Sequence, residues 1–218
     1  MIIMKNPNTQ MAIGPFVRQM LGPLERPVSE LYRGMFVDLT SLARKIKERI
    51  PAANILEVGC GEGTVTERLA RAYANARVTG IDITPRIGRM FRGDLKRVSF
   101  KQETIKDFAK KNNSIFDLVV ISDVMHHVAP RIHKEFLNDA RKALKPGGYL
   151  VLKDWERSPM PIHALCYLLD RYITQDRVQY RTAAEFRDII NAVFGAGHIN
   201  HEARVRPWSN NIVFFIRV

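Results

Sequence analysis

The 218-residue chain fits one domain, and with 46% of its residues hydrophobic it can bury a full core. Its two cysteines, Cys60 and Cys166, stand far apart without ligand spacing. That argues against a disulfide framework and a zinc site, and for a reducing, cytoplasmic setting. No apolar run approaches the roughly 20 residues that cross a bilayer, while a net charge of +12 favours acidic partners, nucleic acid among them.

Residues 1–8 carry no period and read as disordered. Gly14, Pro15, Gly22, Pro23 and Pro27 keep any helix in 9–26 short. Ser29 can cap a longer helix to about Arg49, with Leu31, Met35, Leu39, Leu42 and Ile46 on one apolar face and Pro51 as its stop. Residues 1–50 are therefore expected to be an N-terminal helical cap, and 51–218 the core.

The core opens on Ile55 to Val58, a short apolar run that reads as a buried strand. Gly59, Gly61 and Gly63 form a turn, and Thr64 to Tyr73 a helix with Val65, Leu69 and Ala72 on one side. Strand, glycine turn and helix together make a cofactor cradle in open α/β sheets. A dinucleotide fingerprint is G-x-G-x-x-G; the spacing here is G-x-G-x-G, with Thr64 in place of the last glycine. Glu57 would repel a pyrophosphate but suits a ligand carrying an amine and a sulfonium. A second strand, Arg77 to Ile81, ends at Asp82, where a carboxylate can hold both hydroxyls of a ribose.

After Asp82, Pro85 can start a helix with Ile87, Met90 and Phe91 on its apolar side. Val98 to Gln102 reads as the third strand. Phe116 to Ile121 has the composition of a strand buried on both faces, and it runs into Ser122-Asp-Val-Met-His-His-Val128. Pro130 begins a helix to about Leu144, Lys145-Pro-Gly-Gly148 is a turn, and Tyr149 to Lys153 is the fifth strand. Residues 157–181 are extra: Pro159 and Pro161 break the chain, and a short helix follows from Ile162 to Ile173. Thr182 to Glu185 spells a capping box for a helix to about Phe194. His198–Arg206 and Asn211–Val218 make a terminal hairpin.

Glu57-Val-Gly-Cys-Gly-Glu-Gly63, Gly80-Ile-Asp-Ile83, Ser122 to Val128 and Leu144-Lys-Pro-Gly-Gly-Tyr-Leu-Val-Leu152 resemble motifs of the class I S-adenosylmethionine-dependent methyltransferases. The likeness is to their small-molecule branch, as in quinone biosynthesis, and it covers residues 53–156 well. It implies an α/β, Rossmann-like, mostly parallel seven-stranded sheet in the order 3-2-1-4-5-7-6, strand 7 antiparallel, with helices on both faces. The implied cofactor is S-adenosyl-L-methionine. Its contacts would come from Glu57, Gly59, Cys60, Gly61, Gly63, Asp82, Ile83, Ser122 and Asp123, with Arg33 at the methionine end. An acidic residue usually meets the adenine after the third strand. Here Thr104 stands at that position with Ile105 beside it, so the adenine contact departs from the family pattern.

A methyl on a sulfonium is already activated, so a general base is needed only for a protonated acceptor. His126 is the candidate base, with Asp123 and Asp154 as further candidates and His127 as a loop-capping group. Trp155, Tyr167, Tyr172 and Trp208 join His126 as candidate acceptor-pocket residues, and 157–181 is read as a substrate lid. The implied function is methyl transfer to an O, N or C nucleophile of a small molecule by a monomer or homodimer. An RNA or protein methyltransferase is the alternative, supported mainly by charge. A non-catalytic binding module or a nicotinamide enzyme is the third reading; the glycine spacing disfavours the nicotinamide enzyme.

Overall fold

The computed structural model describes residues 22–169 and 178–218. The strands are β1 (Asn54–Val58), β2 (Arg77–Asp82), β3 (Val98–Gln102), β4 (Phe116–Ser122), β5 (Leu144–Trp155), β6 (Ile199–Arg204) and β7 (Asn211–Arg217). They form one sheet in the order β3-β2-β1-β4-β5-β7-β6. All pairings are parallel except those of β7 with β5 and with β6. The sheet is thus the Rossmann-like one that the motifs implied, with its edge reversed by the terminal hairpin.

Side chains on a strand alternate between faces, and both faces here are covered. Leu56, Val119, Ile121, Leu150, Leu152 and Phe214 pack on one side with Leu137 and Ala140 of a helix His133–Ala143 and Phe186 and Ile190 of a helix Ala183–Phe194. Ile55, Leu118, Val120, Val151 and Val213 pack on the other with Leu42 and Ile46 of a helix Leu39–Arg49 and Leu69 of a helix Thr64–Ala72. Ile46 is 0% exposed, so its burial alone contributes about 1.5–3 kcal/mol. In chain order the helices are α1 (Glu25–Phe36), α2 (Leu39–Arg49), α3 (Thr64–Ala72), α4 (Ile105–Lys111), α5 (His133–Ala143), α6 (Pro161–Leu169) and α7 (Ala183–Phe194). The Thr182–Glu185 capping box is present in full at the start of α7.

Several expectations are corrected. The helix expected over 29–49 is two helices, because Val37 is extended and Asp38 caps α2 by accepting from Ser41 N (2.8 Å). Ser29 lies within α1 rather than at its start. The break turns Leu31 (73% exposed) and Met35 (52%) to solvent, while Leu39, Leu42 and Ile46 stay buried. No side chain of α1 is buried. Ion pairs hold its first turns, Arg26 to Glu67 (2.9 Å), Arg89 to Glu25 (2.6 Å), and Arg68 to Glu30, and Asn211 Nδ2 donates to Phe36 O at its end (2.7 Å).

No helix follows Pro85. Gly88 takes a positive φ of 66°, and its N–H and that of Met90 donate to Gly61 O and Glu62 O (2.9 and 2.8 Å). The segment is pinned to the glycine loop. Lys145 to Gly148 does not separate α5 from the fifth strand but lies within β5, as an irregularity between the Phe116–Leu144 and Leu118–Tyr149 pairings. The helix expected over 162–173 is described only as α6, to Leu169. Residues 1–8, Ile173 and Tyr172 lie outside the described residues.

Candidate active site

The site is built at the carboxyl ends of β1, β2, β4 and β5, where an open α/β sheet leaves a crevice. After β1 the chain turns through Gly59, Gly61 and Gly63, all at positive φ (76°, 51° and 89°). A Cβ on Gly59 would lie 2.4 Å from Val124 Cγ2, so the turn and the loop after β4 touch backbone to side chain. Gly59 N and Cys60 N both donate to Ile81 O (2.8 and 3.1 Å). Cys60 is buried beside Gly80, and burial pushes its thiol far up. It is a filler and not a nucleophile.

Asp82, at the end of β2, accepts from Gly61 N through one oxygen (2.8 Å) and from Thr84 N through the other (2.8 Å). It therefore fixes the glycine loop directly. A carboxylate has about four acceptor positions, so each oxygen keeps capacity for a ligand hydroxyl. Glu57 is 2% exposed and accepts from the Thr66 hydroxyl. Burial raises its pKa to about 8, against the opposing pull of that hydrogen bond. Glu57 is thus a neutral acid at neutral pH, poised to ionise when a cation arrives.

The loop after β4 carries a second group of charges. Asp123 has a positive φ of 56°, its N–H donates to Lys153 O (2.9 Å), and its Oδ1 accepts from Lys153 Nζ (2.5 Å). Ser122 donates to its other oxygen (3.1 Å). His126 Nδ1 donates to Asp154 Oδ1 (2.6 Å). Asp154 also accepts from Met125 N (2.9 Å) and Trp155 N (2.7 Å). Burial works against its charge, yet the adjoining His126 and Lys153 and these donors hold it below the usual carboxylate range. Burial and the neighbouring His126 push His127 down to about 3, so that ring stays neutral.

Asp123, His126 and Asp154 each offer an atom within 4.8 Å of the others. The Lys153 ammonium already sits on Asp123, which is the partner that a metal ion would have to displace.

Beyond β5, Trp155 is the centre of a small third core with Val178 and Tyr180, against which Phe36, Ile162, Cys166 and Trp208 pack. His126 stacks on Tyr180 (5.1 Å between centroids), so this cluster abuts the loop after β4. Trp208 donates to Met35 O (2.7 Å), tying the terminal hairpin to α1. Tyr167 is 44% exposed on α6. Thr104 caps α4: its hydroxyl accepts from Asp107 N (3.1 Å) and donates to Asp107 Oδ2 (2.9 Å). Ile105 is buried in the sheet core, and Ile83 is partly exposed after β2. Arg33 Nη1 is buried without a hydrogen bond, 3.7 Å from Glu30 Oε1, and burial lowers its pKa against the opposing pull of Glu30, Glu62 and Asp123.

Sequence reasoning missed three residues. Lys153, 1% exposed, neutralises Asp123. Buried Glu67 gathers Arg26, Arg71 and Arg92 N. His133 donates to Val128 O (2.8 Å) and accepts from Arg181 Nε (3.0 Å). A lysine inside an otherwise apolar strand was a signal for the first; nothing local marked the others.

Residues 55–148 match a family described as a methyltransferase domain. The chain is similar to a ubiquinone biosynthesis O-methyltransferase of Xanthomonas campestris pv. campestris, 31% identical over 114 residues, or 50% of this chain and 46% of that one. The protein of the same name in Xanthomonas oryzae pv. oryzae is 28% identical over 174 residues, 74% of this chain and 70% of that one. The chain spans about half the length of the first of these curated relatives. Among solved structures, a 1,6-didemethyltoxoflavin-N1-methyltransferase of Burkholderia thailandensis, with S-adenosylhomocysteine bound, superposes with a TM-score of 0.64 at 17% identity. That superposition covers 98% of this chain and 92% of the other. Among the described residues, no helix is long and apolar enough to cross a membrane.

Proposed function

We propose that this chain, which belongs by motif and fold to the class I S-adenosylmethionine-dependent methyltransferases, transfers a methyl group to a small-molecule acceptor. The observation that carries the reading is Glu57. A buried carboxyl beside a glycine turn, whose loop is held by a second carboxylate, gains a counter-charge when a cationic nucleoside drives its ionisation and gains none from a pyrophosphate. When bound, S-adenosyl-L-methionine supplies a methyl on a sulfonium, ready for displacement. Glu57 would ionise against its ammonium, Asp82 would take the ribose hydroxyls, and Arg33 would face its carboxylate. Gly59, Cys60, Gly61 and Gly63 would line the methionine side, and Ile83 and Thr104 the adenine side, with Ile105 packed in the core behind them. Ser122 and Asp123 would complete the cradle.

His126 is the general base in this reading. Its Nδ1–H is committed to Asp154, and its Nε2 would take the proton of an acceptor hydroxyl or ammonium. Asp154 orients the ring and stabilises the imidazolium that forms. Asp123, held by Lys153, orders the loop. Trp155, Trp208 and Tyr167 would border the acceptor side, under segment 157–181.

The acceptor is a small molecule rather than nucleic acid. Several cations that could have formed a polyanion footprint are paired with carboxylates: Lys106 with Glu135, Lys110 with Asp107, Lys142 with Asp139, Lys145 with Asp117. The setting of this reading is cytoplasmic, and its active unit is a monomer or homodimer. Calorimetry with S-adenosylmethionine, S-adenosylhomocysteine and NAD tests the reading. Binding of the first two but not the third, lost in Asp82→Ala, is expected. Binding of NAD alone would overturn it.

A further inference from the structure

A cavity of ≈ 340 Å³ lies beyond the base loop, with Arg157, His163, Tyr167, Tyr180, Arg181 and Glu185 among its walls. We infer that it is the acceptor subsite and that it takes an aromatic ring bearing a carboxylate. The inference rests on the methyltransferase reading and names its substrate class.

Connection to the reacting centre comes first. Tyr180 stacks on His126 (5.1 Å, 29° between planes). Gln179, a further wall residue, donates its N–H to His126 O (2.9 Å). A ring lodged against these walls is one side chain away from the base.

Charge sets the class. Arg157 and Arg181 face one carboxylate, Glu185, at 3.2 and 3.9 Å. Glu185 is itself engaged by Thr182 N (2.7 Å) in the capping box. Among the described wall residues there is thus an excess of one positive charge, which matches a carboxylate better than a phosphate dianion. Arg181 is pre-positioned, since its Nε donates to His133 Nδ1 (3.0 Å), and His133 is fixed as the Nε2–H tautomer by Val128 O. A guanidinium held in this way offers a planar fork suited to a carboxylate.

Apart from Val178, the remaining walls are aromatic. Tyr167, Tyr180 and His163 supply ring surface, and His163 meets Tyr180 edge-on (5.2 Å). Trp155 Nε1 donates to His163 Nδ1 (3.1 Å). Burial and Arg157 lower the His163 pKa, so the ring is neutral with its proton on Nε2, a further donor at the cavity wall.

Calorimetry with the full chain, using 3,4-dihydroxybenzoate and its uncharged counterpart catechol, tests the assignment. The acid is expected to bind at least about tenfold tighter, the scale of a charge-assisted pair. Arg157→Met should weaken the acid about fivefold or more and leave catechol unchanged, while Arg181→Met should act more strongly. Each ratio is measured with and without S-adenosylhomocysteine. Loss of nucleoside binding then counts against the methyltransferase reading alone, and the ratio still decides the cavity. Equal affinities for acid and catechol, binding of neither, or a preference that persists in both variants would overturn the inference.

Discussion

Glu57→Gln isolates the consequence of a carboxyl that burial holds as an acid. Its pKa is about 8 in the folded protein, against 4.5 for an ordinary glutamate. The folded state therefore retains a proton that the unfolded chain releases. Stability is full below pH 4.5 and falls as pH rises toward 8, by about 1.4 kcal/mol per pH unit inside that window. Integrated, the cost reaches about 3–5 kcal/mol at pH 8, a large part of a typical domain's stability. Glutamine keeps the shape and still accepts from Thr66, but it has no proton to lose. Urea unfolding from pH 5 to 9 should show the variant gaining on the parent as pH rises, then levelling off above pH 8. The same proton is released when a cationic nucleoside binds, so titration in buffers of different ionisation enthalpy should show close to one proton released by the parent at pH 7 and much less by the variant. Parallel stability curves for the two proteins would refute the reasoning.

Gly59→Ala should destabilise by about 2–4 kcal/mol, the sum of a positive-φ cost and an overpacked contact. Its Cβ would meet Val124 at 2.4 Å, so adding Val124→Ala should restore part of the loss in thermal unfolding. Asp154→Asn should lower turnover by about 10²–10⁴-fold with nucleoside affinity retained, because the orienting charge on His126 is lost. Near-parental turnover would remove Asp154 from the mechanism. Raising NaCl from about 0.05 to 0.5 M should loosen α1 from its first turns, where charge pairs at Glu25, Arg26 and Glu30 hold it, while Trp208 and Phe36 anchor its end. Hydrogen exchange in residues 25–36 should rise with salt while exchange in β4 stays unchanged.

The segment from β1 through α3 was legible because its information is local. An apolar run, three glycines and a helical period follow one another within twenty residues, and no distant partner changes their meaning. The family motifs then carried the strand order, which no local pattern encodes. The failures have a common cause. Leu31 and Met35 share a period with Leu39 and Leu42, but Asp38 can cap a helix and so divides the pattern. Pro85 offered a helix start, yet hydrogen bonds from Gly88 and Met90 to the glycine loop took the chain elsewhere. Lys153 meets Asp123 across 30 positions of sequence, and Arg26 meets Glu67 across 41. Periodicity cannot see such pairs.

The same limit explains why the carboxylates of the site could be located from sequence and not assigned. Glu57, Asp82, Asp123 and Asp154 all stand at strand ends or in the loops that follow them. What separates them is the set of donors that the fold delivers. Glu57 receives one hydroxyl in a dry pocket, which cannot offset burial, and it stays protonated. Asp154 is just as buried but receives two backbone N–H groups and an imidazole, so it stays charged. Asp82 is bound by two backbone amides, and Asp123 by the lysine of the neighbouring strand. Two carboxyls equally withdrawn from solvent thus end in opposite protonation states, because each sits among different donors.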